Sequence, residues 1–375
     1  MAGAPLEYTL VEIAGGRIAA NPDLDWQALD RRAFGYRLHP LLHRLHEDSA
    51  LVPADIRAGW AQSYRAAAID ALHHRRELVR IADLLAGQGL PFLALKGASL
   101  AWQVWPDPAQ RPLRDLDLYL PGDAILAAYE IFVAEGWQLD EPDAFGPLSP
   151  GEWLARFKAL PALVSPGGIA LDLHARLWDE DGRTPPQPEA LFDRAVADPE
   201  YPAIRYPGPV DQLMHLAVHA CFHRFDGGPL MLADFGHLLV AHRFDWPAVW
   251  RRADTEGWHA HIALCLAGAR RWSGVAAPWP ELAVHPPEDV VENLPLLLAK
   301  PLGAREDDIA AAKSGGGAGR LGQRLGKVLS RRERFETLGA YLRWVASESL
   351  GSLRSSLGAK ERMAAITAFD DWLKP

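Results

Sequence analysis

The sequence predicts an α+β protein, in which a small mixed β-sheet is embedded in a mostly helical chain. Apolar residues recur at the spacing of an amphipathic helix through most of residues 1–85, and again from about residue 209. Between these regions lie short apolar runs bounded by Gly and Pro, and two of them alternate polar and apolar residues, which is typical of strands. Because 375 residues exceed what one core usually holds, more than one domain is expected.

The composition excludes several classes of protein. The formal net charge of −9 argues against a general nucleic-acid coat, which needs a basic surface, so nucleic acid is a less favoured partner. The N-terminus lacks a secretory signal, and no apolar run reaches the ~20 residues that cross a bilayer. We therefore expect a cytoplasmic protein without membrane association. Cys221 and Cys265 lie in apolar helical runs and are interpreted as core thiols rather than a disulfide framework.

In the first half, Gly and Pro residues mark the boundaries of the predicted helices and strands. Helices fill most of 1–85, and Gly87 and Gly89 end the last of them. The apolar run 91–95 predicts a buried strand, and 98–105 a helix that opens from a glycine turn. A Pro-rich loop covers 106–112.

Three further strands complete the predicted sheet. The first is 113–120, which Pro121-Gly122 stops, and a helix capped by Asp123 follows it up to 135. A short strand begins at 136–137, and another strand covers 169–177.

The second half predicts helices at 210–225, 229–242, 246–258 and 259–272. A Gly-rich linker follows at 313–319, then a basic segment at 320–334 and an amphipathic helical tail. We divide the chain into an N-terminal helical region (1–85), an α/β core (86–208), a helical domain (209–312), and a last region of linker, basic segment and C-terminal helices (313–375).

Asp115 and Asp117 form the sharpest signal in the sequence. Alternate side chains of a strand share a face, so the two carboxylates point the same way. Carboxylates so close together repel each other, and both stay ionised only with a cation between them. Hard divalent cations prefer carboxylate and phosphate oxygens. The pair therefore predicts a site for Mg²⁺ (or Mn²⁺) that faces a nucleoside triphosphate.

The turn upstream of this strand strengthens the interpretation. In Lys96-Gly97-Ala98-Ser99, glycine lets the backbone approach a phosphate, and the start of the helix supplies N–H donors. Lys96 would add a charge and Ser99 a hydroxyl. These residues are therefore candidates for nucleotide binding.

The residues around the acids extend the predicted site. Arg111 and Arg114 flank the acids and are candidates for binding phosphate oxygens. Asp172 and His174 share a face of another strand. Asp172 is a candidate third metal ligand and general base, and His174 a candidate phosphate ligand or partner of Asp172.

This arrangement resembles the nucleotidyltransferase superfamily related to DNA polymerase β, and more closely a bacterial group called uncharacterised nucleotidyltransferases. The motifs that carry the resemblance are Leu95-Lys96-Gly97, Arg111-Pro112-Leu113-Arg114-Asp115-Leu116-Asp117-Leu118 and Asp172-Leu173-His174. The resemblance covers about 70–245. It implies that Asp115, Asp117 and Asp172 ligate Mg²⁺ and that Gly97 and Ser99 hold the β- and γ-phosphates. The turn departs from the Gly-Ser or Gly-Gly of the broader superfamily.

The expected activity is transfer of a nucleotidyl group from an NTP, most simply ATP, to a hydroxyl of a small metabolite or of a peptide or protein. The resemblance also suggests a role in the biosynthesis of peptide natural products. Two alternatives stay open: a phosphotransferase that uses the same metal site, and a catalytically silent, antitoxin-like binding module.

Other residues carry weaker signals. His215, His219 and His223 lie on one helical face, which suits packing, lining of a cleft or binding of a transition metal. Asp234, in an apolar run, is interpreted mainly as a buried cap or as the partner of an arginine. The basic segment 320–334 is either a solvated face or a contact for an anionic acceptor.

Overall fold

The N-terminal region is helical, as predicted. The computed structural model of the chain describes residues 5–178, 188–301 and 361–374. Its first helices are α1 (Leu6–Ala14), α2 (Trp26–Gly35), α3 (His39–His46) and α4 (Ala54–Ala86). Helix α4 has 33 residues and is therefore about 50 Å long. It begins after Pro53 and ends at Gly87, in keeping with the predicted stop.

A mixed sheet follows, which confirms the α+β class. Its strands are β1 (Leu93–Ala94), β2 (Leu116–Tyr119), β3 (Gln138–Leu139), β4 (Leu163–Val164) and β5 (Ala170–His174), in the spatial order β1-β2-β5-β4-β3. Strands β2 and β5 are parallel, and the other neighbours are antiparallel. Strand β4, which the sequence did not predict, joins β5 to the edge strand β3. A separate hairpin pairs β6 (Val196–Ala197) with β7 (Arg205–Tyr206).

Short helices connect the strands. They are α5 (Lys96–Gln103), α6 (Ala124–Ala134), α7 (Pro150–Leu154) and α8 (Pro188–Asp193), with a 3-10 turn at Pro108–Gln110 inside the predicted Pro-rich loop. Helix α5 begins two residues earlier than predicted, so that Lys96 and Gly97 form its first turn. The strands β2 and β5 are shorter than the predicted 113–120 and 169–177.

The four helices predicted between 210 and 272 are confirmed. They are α9 (Pro209–Phe222), α10 (Leu230–Ala241), α11 (Trp246–Glu256) and α12 (His259–Trp272). Two short helices that the sequence did not predict follow them, α13 (Glu288–Glu292) and α14 (Leu294–Leu298). A last helix, α15, covers 361–373. The Gly-rich stretch 313–319 and the basic segment 320–334 lie outside the described residues. Across those residues, no helix combines the length and apolar character needed to cross a membrane.

The buried apolar side chains form two clusters. The helical cluster joins α1–α3 to the helices of the second half, and it contains Cys221 and Cys265 as free buried thiols, as predicted. The sheet cluster contains one face of the sheet, α6 and the C-terminal part of α4. Helix α4 takes part in both, since Trp60 packs in the helical cluster and Leu78 in the sheet cluster.

The sheet separates the two clusters. Leu116 and Leu118 of β2 point into the sheet cluster, while Tyr119, on the opposite face, belongs to the helical cluster. Asp117 lies on the same face of β2 as Tyr119. The polar residues of the two central strands therefore lie on the side of the sheet that faces the helical cluster.

Candidate functional site

The turn between β1 and α5 has an unusual backbone. Leu95 is extended, and Lys96 follows with φ of 41°, in the left-handed region that side chains other than glycine rarely adopt. A Cβ on Gly97 would lie 2.8 Å from Cδ2 of Leu113 and 3.2 Å from Nη1 of Arg111. Glycine therefore lets the loop before β2 pack directly against the start of α5.

The parallel pairing of β2 and β5 brings the predicted acids together. In this register Asp117 is the direct partner of Asp172, and the leucines on either side pair in the same way. Ligand atoms of Asp117, Asp172 and His174 all lie within 4.8 Å of one another. Asp115 immediately precedes β2, and its carboxylate is near enough to Asp172 to raise the pKa of that residue. The structure thus gathers the three predicted carboxylates and the predicted histidine at one place.

Lys96 and His174 both bond to Asp117. The Nζ atom of Lys96 lies 2.5 Å from Oδ1 of Asp117, and Nε2 of His174 lies 2.8 Å from the same oxygen. Burial alone would raise the pKa of Asp117, but the ammonium and the imidazole outweigh it and hold the pKa well below its usual range. Burial would lower the pKa of Lys96, but the three carboxylates raise it. Asp117 and Lys96 therefore form a charged pair.

The other two carboxylates, those of Asp115 and Asp172, have raised pKa values. Burial, followed by the charges of Asp117 and Asp115, raises the pKa of Asp172 to about 6. Burial and the charge of Asp117 also raise the pKa of Asp115. The nearby cations do not offset this fully, since the pKa of both carboxylates stays above its usual range. A divalent cation placed among them would relieve the remaining repulsion.

Arg111 forms an ion pair with a residue of α10. Its Nε and Nη2 donate to the two carboxylate oxygens of Asp234 over 3.0 and 3.1 Å, and Nε1 of Trp105 donates to the same carboxylate over 2.7 Å. The interpretation of Asp234 as the partner of an arginine is confirmed. Arg111 and the exposed Arg114 still act on the acidic cluster, since both lower the pKa of Asp115.

Ser99 lies deeper than its predicted role suggests. Its side chain is fully buried, and Oγ accepts a hydrogen bond of 2.8 Å from Nε2 of Gln212 in α9. Contact of this hydroxyl with a phosphate would require that bond to break. Gly97, the other residue expected to hold the phosphates, is also buried.

The histidine face of α9 runs from the acidic cluster towards solvent: His215 is buried, His219 half-buried and His223 exposed. Burial, followed by the charges of Lys96 and His174, lowers the pKa of His215 to about 3. Burial and Lys96 also lower the pKa of His219. These influences place the inner end of the face beside the site, which favours the cleft-lining interpretation. In the described parts of the chain, a three-residue group of ligand atoms occurs at Asp117, Asp172 and His174 and not along this face.

Sequence reasoning missed two charged neighbours of the site. The charge of Lys158 lowers the pKa of both His174 and His215, so its ammonium lies near these two histidines. Its backbone carbonyl accepts from the N–H groups of Ala175 and Arg176, which ties its loop to the end of β5. Asp140, which follows β3, adds to the raised pKa of Asp172. Neither residue belongs to a local motif, so only the folded chain shows them.

Comparison with known proteins agrees with this geometry. A family model described as uncharacterised nucleotidyltransferase matches residues 22–274, well over half of the chain and including all residues of the site. No curated protein matches the chain.

Proposed function

The chain belongs to the uncharacterised nucleotidyltransferase family, and from this premise we propose that it transfers a nucleotidyl group from an NTP to a hydroxyl acceptor, with Mg²⁺ as cofactor. The observation that carries the proposal is the direct pairing of Asp117 with Asp172 on parallel strands, with Lys96 of the preceding turn against them. ATP is the simplest donor. The acceptor is a small metabolite or a peptide or protein, and a peptide natural product is one member of that class.

The donor set of the site fits a divalent cation. Carboxylate oxygens from two adjacent strands converge, and burial, followed by their mutual repulsion, raises the pKa of Asp115 and Asp172. Asp115, Asp117 and Asp172 would hold Mg²⁺ or Mn²⁺. When bound, such an ion supplies neutralisation of the charge that develops on the phosphate oxygens.

The surrounding cations would bind the triphosphate. Lys96 already lies in the acidic cluster, and Arg111 and Arg114 lie close enough to shift the pKa of Asp115. Backbone N–H groups at the Gly97 turn would contribute donors at the start of α5. Phosphate binding by the Ser99 hydroxyl and by His174 stays a prediction outside this set, because it would require the bonds of Ser99 to Gln212 and of His174 to Asp117 to break. Because Arg111 is held by Asp234, its guanidinium is oriented before the nucleotide arrives.

The proposed reaction is an in-line displacement at the α-phosphorus. The acceptor oxygen forms a bond to that phosphorus, while the bond from the phosphorus to the α,β-bridging oxygen breaks. Pyrophosphate leaves with the electron pair of the broken bond. Asp172 is the carboxylate proposed to take the proton of the acceptor hydroxyl. Positioning and charge neutralisation supply most of the acceleration.

We assign the inner part of the histidine face to the binding region of the acceptor. His215 and His219 experience the charges of both Lys96 and Asp117, and the exposed His223 continues the face to the surface. An acceptor that approaches along α9 would reach the acids from the helical side of the sheet.

A labelling experiment tests the proposal against the two alternatives. The chain is incubated with Mg²⁺, fractions of small molecules and peptides from cells, and ATP labelled at either the α- or the γ-phosphate. An acceptor that retains the α-label supports nucleotidyl transfer, and one that retains only the γ-label identifies a phosphotransferase. No thermal shift with any of the four NTPs, together with no labelled product, identifies a binding module. Asp117→Asn and Asp172→Asn should abolish transfer, while the matched exposed variant Asp123→Asn should retain it.

A further inference from the structure

We propose that His174 is a direct nitrogen ligand of the divalent cation, and that the site therefore binds first-row transition-metal ions such as Mn²⁺ and Co²⁺ more tightly than Mg²⁺. The inference rests on the metal site of the proposed function, but not on nucleotidyl transfer itself. It adds the imidazole of His174 to the carboxylate ligands of the proposed function.

The geometry of the imidazole supports direct ligation. Nε2 of His174 lies 2.8 Å from Oδ1 of Asp117. Two neighbouring ligand atoms of an octahedral ion with bonds of about 2.1 Å are about 3 Å apart. The two atoms thus already have nearly the separation that a shared cation requires, and an oxygen of Asp172 lies within 4.8 Å of both.

The fold keeps these three side chains in place. Asp172 and His174 are two residues apart in β5, so they share a face, and Asp117 is the register partner of Asp172. The side chains of His174 and Asp117 are only 5% and 4% exposed. Because strands and packing hold the donors, binding requires little rearrangement of the imidazole.

Lys96 is the group that the cation must displace from Asp117. Its ammonium and the ring of His174 share the single oxygen Oδ1. A cation bound by Oδ1 and Nε2 would free Lys96 for an anionic ligand. For ligation, Nε2 must carry no proton, so Nδ1 keeps the ring hydrogen and any proton on Nε2 leaves to solvent.

The choice of ion follows from the donor atoms. Mg²⁺ strongly prefers oxygen ligands and is held mostly by carboxylates, phosphates and water. Imidazole nitrogen suits transition-metal ions, whose affinity for mixed nitrogen and oxygen sites rises from Mn²⁺ to Co²⁺ and beyond. One imidazole among the donors is therefore enough to favour these ions over Mg²⁺.

Metal titration and electron spin-echo spectroscopy test this inference without any turnover. The full-length chain is stripped of metal and titrated with Mn²⁺, Co²⁺ and Mg²⁺ by calorimetry. We expect Mn²⁺ to bind at least tenfold more tightly than Mg²⁺ and the Mn²⁺ echo to show ¹⁴N modulation. His174→Asn should remove the modulation and most of the preference, whereas the exposed His285→Asn should retain both.

Isotope labelling covers the case in which His174→Asn does not fold. Protein grown with ¹⁵N-histidine should show the modulation frequencies change from those of ¹⁴N to those of ¹⁵N. Absence of nitrogen modulation, its persistence in folded His174→Asn, or equal affinities for Mn²⁺ and Mg²⁺ would overturn the inference. Nitrogen-ligated Mn²⁺ in a chain that never consumes an NTP would retain the inference and remove only the proposed function.

Discussion

The ammonium of Lys96 lies 2.5 Å from Oδ1 of Asp117, so the central carboxylate of the site receives its counter-charge from the first turn of α5. The side chain of Asp117 is only 4% exposed, and that of Lys96 is 18% exposed. In the metal-free protein, this pair keeps a buried carboxylate ionised. Because a bound cation would compete with Lys96 for Asp117, the stability of the folded chain and its metal binding should depend on each other.

Lys96→Met should destabilise the metal-free protein by about 3 kcal/mol, because it leaves Asp117 as a buried charge without its partner. Added Mn²⁺ or Mg²⁺ should recover part of the loss, since a cation can take the place of the ammonium. Urea unfolding with and without metal measures both effects. Arg76→Met, an exposed cation of α4, is the control and should change neither. Equal stability of Lys96→Met and wild type would show that the pair does not support the folded chain.

Asp172→Asn should stabilise the metal-free protein and weaken metal binding. The charges of Asp117 and Asp115 contribute to the rise of the pKa of Asp172 to about 6, after burial itself, so ionised Asp172 costs stability at neutral pH. Removing its charge should raise the free energy of unfolding by about 1 to 3 kcal/mol. Unfolding in a chelator at pH 7.5, compared with unfolding in excess Mn²⁺, measures the two effects. A variant less stable than wild type in chelator would contradict the like-charge explanation.

Ser99→Ala separates a packing role from a phosphate-binding role. The hydroxyl of Ser99 is buried and accepts from Gln212, so its removal leaves an amide without that acceptor. We expect a loss of stability of about 1 to 3 kcal/mol and an NTP affinity within threefold of wild type. Urea unfolding and NTP titration by calorimetry give the two values. A tenfold loss of NTP affinity with unchanged stability would instead assign the hydroxyl to the phosphates.

Asp198 should make the protein sensitive to acid. Although burial would raise its pKa, hydrogen bonds from Arg75 and Tyr206 outweigh this and lower the pKa to about 2. The folded pKa is below the ordinary value of 3.8, so the contribution is present above pH 4 and is lost as the pH falls towards 2. It amounts to roughly 2 kcal/mol.

Comparing Asp198→Asn with wild type between pH 6 and pH 3 tests this. The difference in unfolding free energy should shrink as the pH falls. The same substitution at the exposed Asp83 of α4 should give no such trend. A difference that is constant with pH would show that the charge of Asp198 is not what stabilises the fold.

The parts of the site that the sequence predicted depend on local spacing. Asp115 and Asp117, like Asp172 and His174, are two residues apart, and the period of a strand decides which face they share. The apolar residues between them indicate which face is buried. The same local logic predicted α9 to α12, whose helical periodicity runs over at least eleven residues each.

The parts that the sequence did not predict depend on contacts between distant residues. The partner of Arg111 is 123 residues away at Asp234, and that of Ser99 is 113 residues away at Gln212. Strand β4 contains two residues, too few to show a period, and its position comes from pairing with β5. The nearness of Lys158 to His174 likewise follows from the isolated pairing of Ala159 with His174.

Helix α4 makes the two apolar clusters parts of one cooperative unit. Since its N-terminal half packs in the helical cluster and its C-terminal half in the sheet cluster, neither cluster can open without exposing apolar residues of the same helix. A ligand that binds only at the sheet should therefore slow the hydrogen exchange of the most protected amides in α12, more than 80 residues further along the chain than β5. Calorimetric unfolding of the intact chain should likewise show a single transition for both clusters.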